Sequence, residues 1–344
     1  MNQNLVTERI DYINFIQSFA VTLVVIGHSL PRLNGTDTMP LWANIIYDLI
    51  YSFHMPLFFV LAGFLLMNSF NRQSQSIQTF KHFIHNKFIR LIIPYVSIGS
   101  LAYLLKVFVF NRFAYRPASF DIVFYIKSMI VPGANPMLAL WFLPTIFIIY
   151  ILSYVVLKND NCIKSNLMLW LILSFFVSLL SNYTHIQLLN ISGVLNYLFY
   201  FFVGTIIFHL KNSLIKILSN TGFLLFIILL FIEIQMIPIS CHNCINFILK
   251  YIVAILGIFM SFSIAIYCSN HNHKFLWGLI DGKYYQIYLL AWFFQCGIRI
   301  FYQIEAINYI TVCFLMFIAS FIFPIFITNI IKRHLPKLKI FIGL

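Results

Sequence analysis

The sequence predicts an all-α, polytopic membrane protein, and three observations lead to this fold class. The 344 residues are 61% hydrophobic and only 9% charged, whereas a soluble domain carries about 25% charged residues. The mean hydropathy is +0.91. About ten apolar stretches are long enough for the roughly 20 residues that a helix needs to cross a bilayer. The net charge of +13 therefore needs no nucleic-acid partner, because basic residues collect in the cytoplasmic loops of membrane proteins.

The ten predicted spans lie at 13–33, 43–68, 91–110, 139–157, 166–182, 193–210, 220–237, 247–268, 284–303 and 309–331. An even number places both termini on one side. If the N-terminus is inside, all but seven of the 22 Lys and Arg residues fall in internal segments; the seven are Arg32, Lys106, Arg112, Arg116, Lys127, Lys250 and Arg299. This bias favours N-in and C-in termini.

The first apolar stretch predicts a retained span, not a signal peptide, because it follows Glu8, Arg9 and Asp11 and exceeds a signal core of 7–15 residues. The six cysteines are scattered and do not form a disulfide framework. We expect residues 1–344 to form a single transmembrane domain with no appended soluble domain.

The first two spans carry ionisable residues within the predicted bilayer. In "TLVVIGHSL", His28 lies fifteen residues after Ile13, which is roughly 22 Å into a hydrocarbon core about 30 Å thick. His54 lies near the midplane of the second span, and Asp48 lies closer to the outer face. Ionisable groups at such depths usually face a cavity or each other. The histidine is either a general base or a neutral ring that is hydrogen-bonded inside the bundle.

The second span, "YSFHMPLFFVLAGFLL", also contains a proline and a glycine with predictable effects. Pro56 removes a helix hydrogen bond and predicts a kink. Gly63 allows a neighbouring helix to approach closely. Pro56 has two explanations. It produces a kinked helix with no further role, or it frees backbone carbonyls that line a cavity.

Two segments between spans are distinctive. Residues 69–90 contain "FKHFIHNKFIR", in which aromatic and basic residues alternate, and we expect an amphipathic helix on the membrane surface. Residues 111–138 form the longest external segment. Its Pro117, Pro132, Gly133 and Pro136 predict irregular structure near a binding mouth.

Five motifs together resemble the integral-membrane acyltransferase 3 family. They are "VVIGHS" in the first span, "FHMPLFFVLAGF" in the second, "KFIRLIIPY" opening the third, "LWFLP" opening the fourth and "GKYYQIYLLAWFFQ" in the ninth. The resemblance implies about ten spans in a bacterial cytoplasmic (inner) membrane. It also implies transfer of an acyl group, usually acetyl, from cytoplasmic acetyl-CoA to sugars of surface polysaccharide, lipopolysaccharide or peptidoglycan.

The resemblance assigns roles to individual residues. The family's histidine matches His28, and the family's arginine, which is thought to help hold CoA, falls on Gln17. Arg90 matches the family's basic position before the third span and is the candidate substitute. Lys87 is a second candidate. Ordinary positive-inside charge is the alternative for both residues, and it is the favoured explanation for Lys87. Ala62 stands where the family often has serine.

The implied chemistry needs no metal, because a thioester is already activated. A sugar hydroxyl needs a base within hydrogen-bond reach, and an imidazole with an ordinary pKa of roughly 6.5 suits this role. His28 is therefore the expected catalytic base. Asp48 either orients its ring or makes a structural hydrogen bond. We expect His54 and Trp141 on the acceptor side, although an interface-belt role is the commoner explanation for a tryptophan in the position of Trp141.

Other interpretations stay open at this point. The chain is alternatively a transporter or flippase of glycan intermediates, or an inactive relative because Gln17 replaces the arginine. Glu233 lies in the seventh span, where a cavity-facing role is expected. Cys241 and Cys244 have CxxC spacing, but an ordinary loop or a strained disulfide explains them better than a metal site. The acceptor sugar, its hydroxyl, the acyl chain and the oligomeric state have no readable signal.

Overall fold

The computed structural model describes residues 11–34, 36, 38–72, 79–113, 117–157, 160–235, 244–271 and 278–344. These residues form helices and turns and no strands, which confirms the all-α class for the described part of the chain. We number the helices α1 Asp11–His28, α2 Leu41–Tyr51, α3 His54–Arg72, α4 Phe80–Lys87, α5 Ile93–Leu105, α6 Ile122–Ile130, α7 Phe142–Leu157, α8 Asp160–Leu180, α9 Ile191–Leu218, α10 Thr221–Gln235, α11 Cys244–Asn270, α12 Tyr284–Gln303 and α13 Tyr309–His334.

Within the described residues, six helical stretches are long and apolar enough to cross a membrane: Leu41–Asn71, Phe80–Phe113, Leu138–Leu157, Leu188–Leu218, Ile248–Asn270 and Tyr309–His334. Two shorter apolar helices are Asn166–Leu180 and Thr221–Gln235. Helices α1 and α12 belong to neither group, because polar residues such as Gln17 and Arg299 interrupt their apolar sequences.

At the predicted kink, a two-residue turn divides the helical stretch Leu41–Asn71 into two helices. Helix α2 ends at Tyr51 and α3 begins at His54, with a turn at Ser52 and Phe53 between them. Pro56 is the third residue of α3, where a helix has no partner for a backbone N–H. The proline therefore fits the restart of the helix without leaving a hydrogen bond unmade.

The third span begins earlier than predicted. A π-helical segment, Phe88–Ile92, joins α4 to α5 without interruption, and the helical stretch continues to Phe113. Phe83 of α4 is buried, and its ring lies 4.6 Å from that of Tyr154 of α7. The predicted amphipathic helix is present as α4, in which Phe83 is buried and most other residues are exposed, but it is continuous with the third span and does not form a separate element. Residues 73–78 lie outside the described part.

The prediction of irregular structure for residues 111–138 is wrong for one stretch and correct for another. Helix α6 occupies its middle, and the Tyr95 hydroxyl of α5 donates a hydrogen bond of 2.8 Å to the Met129 carbonyl of α6. Ile122 and Val123 on α6 are each 67% exposed, as expected of a helix at a membrane interface. Pro132–Ala134 form a short 3₁₀ turn. Residues 114–116 are not described.

Helices α3 and α9 pack closely against each other. A Cβ at Gly63 would lie 2.0 Å from the Phe201 carbonyl oxygen, and one at Gly204 would lie 2.0 Å from the Val60 carbonyl oxygen. Each glycine therefore faces the backbone of the other helix. The predicted close approach at Gly63 is confirmed, and it fixes α3 as one wall of the site.

Candidate active site

A cavity of about 1580 Å³ follows one face of α1. Its lining residues on this helix are spaced three or four apart, which is the spacing of a single helix face; they include Asn14, Gln17, Val21, Val24 and His28. Asn14 and His28 are separated by roughly 21 Å along the helix axis, compared with a hydrocarbon core about 30 Å thick. We call the two ends of this cavity the Gln17 end and the His28 end.

Helices α2 and α3 supply a second wall. Their lining residues also recur at helical spacing and include Asp48, Tyr51, Met55, Phe58, Ala62, Leu65 and Ser69. The pattern continues across the break at Ser52 and Phe53. The two helices therefore present a nearly continuous face from the His28 end to the Gln17 end.

His28 is the last residue of α1 and is exposed into the cavity. Its ring contact is an edge-on approach to Tyr51 at 6.4 Å between centroids. Within the described residues, no side chain forms a hydrogen bond or ion pair with this imidazole. Both ring nitrogens are therefore open to a reactant in the cavity.

Tyr51 connects the two histidines of the first two spans. Its ring stacks on Tyr47 at 3.7 Å and meets His54 edge-on at 4.6 Å. It also packs against Gly27, where an added Cβ would lie 2.8 Å from a ring carbon. The glycine that precedes His28 thus makes room for the ring that contacts His28.

His54 is buried and lines the same cavity. Its Nδ1 lies 2.9 Å from the Ile50 carbonyl oxygen. A carbonyl only accepts, so Nδ1 carries the proton and Nε2 is an acceptor in the neutral ring. The backbone therefore fixes both the tautomer and the orientation of this histidine.

Asp48 lines the cavity but does not contact His28. Its carboxylate accepts a hydrogen bond of 2.9 Å from the Asn44 amide, one turn earlier on α2. The structure therefore brings Asp48 into the site without placing it as the orienting partner of the imidazole. The ring that adjoins His28 belongs instead to Tyr51.

The Gln17 end contains all three residues expected to contact the donor. Gln17, Lys87 and Arg90 line the cavity. The Lys87 ammonium lies 3.9 Å from the centroid of the Tyr150 ring, a cation–π contact. The Tyr285 hydroxyl donates a hydrogen bond of 2.7 Å to the Arg90 carbonyl, which ties α12 to the π-helical segment. This end can bind an anion with two basic side chains and an amide.

Trp141 lies in a 3₁₀ turn before α7 and lines the cavity. Its ring stacks on Tyr197 at 5.3 Å and on Phe59 at 6.2 Å. The indole belongs to an aromatic cluster inside the bundle. This placement differs from that of a tryptophan in a lipid-facing interface belt.

Several residues of the site have no counterpart in the sequence prediction. Tyr51 is one, although its spacing from Asp48 and His54 in the second span is a usable signal. A basic group at the His28 end is another; it consists of Arg32, Lys106, Arg112 and Arg299. Its members are far apart in the chain, and their convergence cannot be read without the helix arrangement.

The expectation for Glu233 is wrong. Its side chain is exposed near the end of α10 and does not line the cavity. Cys241 and the side chain of Cys244 lie outside the described residues.

Comparison with known proteins gives a family match and two partial relatives. A family model described as an acyltransferase domain, acyltransferase 3, matches residues 10–329. Nodulation protein NolL of Mesorhizobium japonicum is 31% identical over 93 residues, 27% of this chain and 24% of the relative. NolL of Sinorhizobium fredii is 29% identical over 101 residues, 29% of this chain and 26% of the relative. The matched region thus spans about a quarter of these relatives. No solved structure matches the chain.

Proposed function

The chain belongs to the acyltransferase 3 family, and we propose that it is a membrane O-acyltransferase with His28 as general base. It moves an acetyl group from cytoplasmic acetyl-CoA to a sugar hydroxyl of a surface polysaccharide, lipopolysaccharide or capsule precursor. The cavity along α1 is the observation that carries the proposal. It joins a basic Gln17 end to an imidazole that is exposed at the other end.

The transfer conserves atoms and charge with one histidine. The sugar hydroxyl gives its proton to His28 as its oxygen attacks the thioester carbonyl. The new C–O bond forms, the C–S bond breaks, and the imidazolium returns the proton to the departing thiolate of CoA. The ring ends the cycle neutral, and the reaction needs no further base.

The two ends of the cavity suit the two reactants. The phosphates of acetyl-CoA bind at the Gln17 end, where Lys87 and Arg90 supply positive charge. The long pantetheine arm carries the thioester along α1 toward His28. His54 and Trp141 line the cavity, and we assign them to the acceptor, because an aromatic ring can stack on a sugar. Asp48 does not contact His28, and its contribution is the negative charge that it places in the cavity.

The proposal includes a membrane topology. Ten helices cross the bacterial inner membrane: the six long stretches, the two shorter apolar helices, and α1 with α12. Both termini lie in the cytoplasm, as the distribution of basic residues favours. Residues 1–344 act as a single transmembrane domain in contact with the lipid bilayer.

Ester formation tests the proposal directly. The protein and its His28→Ala variant are expressed in a strain that makes the unmodified glycan, and base-labile acetyl esters are measured. We expect esters with the wild type and a loss of at least about a hundredfold with the variant, which is the usual scale of general-base catalysis. His185→Ala is the matched control, because His185 is exposed outside the cavity. Equal ester formation by His28→Ala refutes the role of the histidine.

A transport function is the second candidate, because a cavity that follows most of the bilayer thickness also suits a pathway. The same strains distinguish the two. Loss of glycan export with no change in esters favours a transporter or flippase.

The third reading, an inactive relative, is tested by Gln17→Arg. Lys87 and Arg90 already supply cations at this end, so we expect a change of less than about fivefold in the KM for acetyl-CoA. A gain of a hundredfold or more in acetylation would mean that the natural protein is nearly inactive because it lacks the arginine.

A further inference from the structure

The His28 end of the cavity is strongly basic. Four of its lining side chains are cationic, Arg32, Lys106, Arg112 and Arg299, and Asp48 is the one carboxylate among the described lining residues. In the proposed topology these cations lie on the outer side of the membrane, where Lys and Arg are disfavoured. Positive-inside charge therefore does not explain them.

Hydrogen bonds between distant segments hold this basic group together. The Tyr309 hydroxyl donates to the Pro31 carbonyl at 2.8 Å, and the Asn34 amide donates to the Tyr302 carbonyl at 2.9 Å. These two bonds fix the chain on both sides of Arg32. The outer rim of the cavity is thus built from the segment that follows α1 together with α12 and α13.

Arg299 lies between two further bonds of the same kind. Gln295, four residues before it, reaches Ser29 at 3.4 Å, and Gln303, four residues after it, donates to the Phe113 carbonyl at 2.8 Å. Residues four apart share a helix face. Arg299 therefore lies on the helix face between two contacts, one with the segment next to His28 and one with the segment next to Arg112. It is roughly 6 Å farther along α12 than Gln295.

The guanidinium of Arg299 also has an unfilled donor. Its Nε is buried and has no hydrogen-bond partner within the described residues. A buried N–H without an acceptor costs free energy, and gathering like charges in one chamber adds repulsion. An anionic ligand at this end would relieve both costs.

We propose that the acceptor carries an anionic group, phosphate or carboxylate, which Arg299 and the neighbouring cations bind at the His28 end. This inference rests on the proposed function, because it treats the anion as part of the acceptor molecule. The phosphate belongs to a polyprenyl diphosphate carrier or the carboxylate to an acidic sugar. In either case the charge holds the acceptor while its hydroxyl reaches His28.

Ligand-induced stabilisation tests this without requiring transfer. Full-length protein in neutral detergent is saturated with CoA to fill the Gln17 end, and its unfolding temperature is followed by tryptophan fluorescence. The probes are farnesyl diphosphate against farnesol, methyl glucuronide against methyl glucoside, and inorganic phosphate. We expect one anionic probe to raise the unfolding temperature while its neutral counterpart does not, with the shift falling at high salt. The active pair identifies the source of the anion.

Variants locate the binding. Arg299→Gln is expected to lower the affinity for the anionic probe about tenfold, which is the effect of losing one hydrogen bond to a charged group. Arg299→Lys retains most of the affinity and controls for folding. Lys127→Gln is the matched control, because this lysine is exposed on α6 outside the cavity. We expect it to bind as the wild type does.

Three outcomes overturn the inference. The first is an equal shift in unfolding temperature with a charged probe and its neutral counterpart. The second is a shift with inorganic phosphate as large as that with the organic anionic probe. The third is an Arg299→Gln variant that binds the anionic probe as tightly as the wild type does. None of these affects the ester assay, so esters formed by a protein that ignores anions leave the proposed function intact. Anion binding without His28-dependent esters refutes the proposed function instead.

Discussion

Replacing Tyr51 with leucine is expected to slow acetyl transfer without weakening donor binding. The Tyr51 ring meets His28 at 6.4 Å, His54 at 4.6 Å and Tyr47 at 3.7 Å. An aromatic pair contributes about 0.5–1.5 kcal/mol beyond its buried area. The contact with His28 is worth about 1 kcal/mol. Without it the imidazole is held less often in the reactive position, and the same free energy corresponds to roughly a fivefold lower kcat. Loss of the other two pairs lowers stability by about 1–3 kcal/mol.

Steady-state kinetics separate positioning from general damage. Purified Tyr51→Leu should show the fall in kcat with an unchanged KM for acetyl-CoA, because the donor phosphates bind at the other end of the cavity. Tyr51→Phe keeps the ring and should retain nearly all of the activity. Tyr183→Leu is the matched control, since Tyr183 is 79% exposed and does not line the cavity. A full kcat for Tyr51→Leu, or a phenylalanine variant as slow as the leucine variant, would refute the positioning role.

Two further variants test the walls of the cavity. Gly63→Ala places a Cβ 2.0 Å from the Phe201 carbonyl oxygen and should cost about 1–3 kcal/mol, seen as a lower unfolding temperature. Gly133→Ala, with open space around it, should not change that temperature, and equal values for the two variants would contradict the packing argument. Lys87→Met removes a cation from the Gln17 end and should raise the KM for acetyl-CoA about fivefold. Lys81→Met, exposed outside the cavity, should leave it unchanged; equal KM values would argue against donor binding there.

Much of the fold could be predicted from apolar runs, and the errors have a physical origin. The stretch "FKHFIHNKFIR" is too polar to count as a span, so the sequence separated it from the apolar residues that follow. The structure joins the two through the π-helical segment Phe88–Ile92. What holds the polar stretch in the bundle is an aromatic contact with α7, and such long-range contacts leave no local pattern.

The site was predictable where a single helix carries it. Gln17 and His28 lie on one face of α1, and their spacing is sufficient to place them together. Tyr51 could have been found in the same way from its spacing to Asp48. The basic group around Arg299 could not, because its members come from different helices and meet only through the contacts of α12 with the rim.

The polarity of α1 and α12 follows from the same cavity. Both helices fall outside the set that is apolar enough to cross a membrane by composition, and both place polar residues on the cavity, among them Gln17 and Arg299. Polar groups in a bilayer are tolerated where they face water or one another. Residues that lower the apolarity of α1 and α12, Gln17 and Arg299 among them, are therefore residues that the cavity accommodates. The strongly apolar stretch Leu41–Asn71 also places Asp48, Tyr51 and His54 on this cavity, so apolarity alone does not separate a cavity wall from the rest of the bundle.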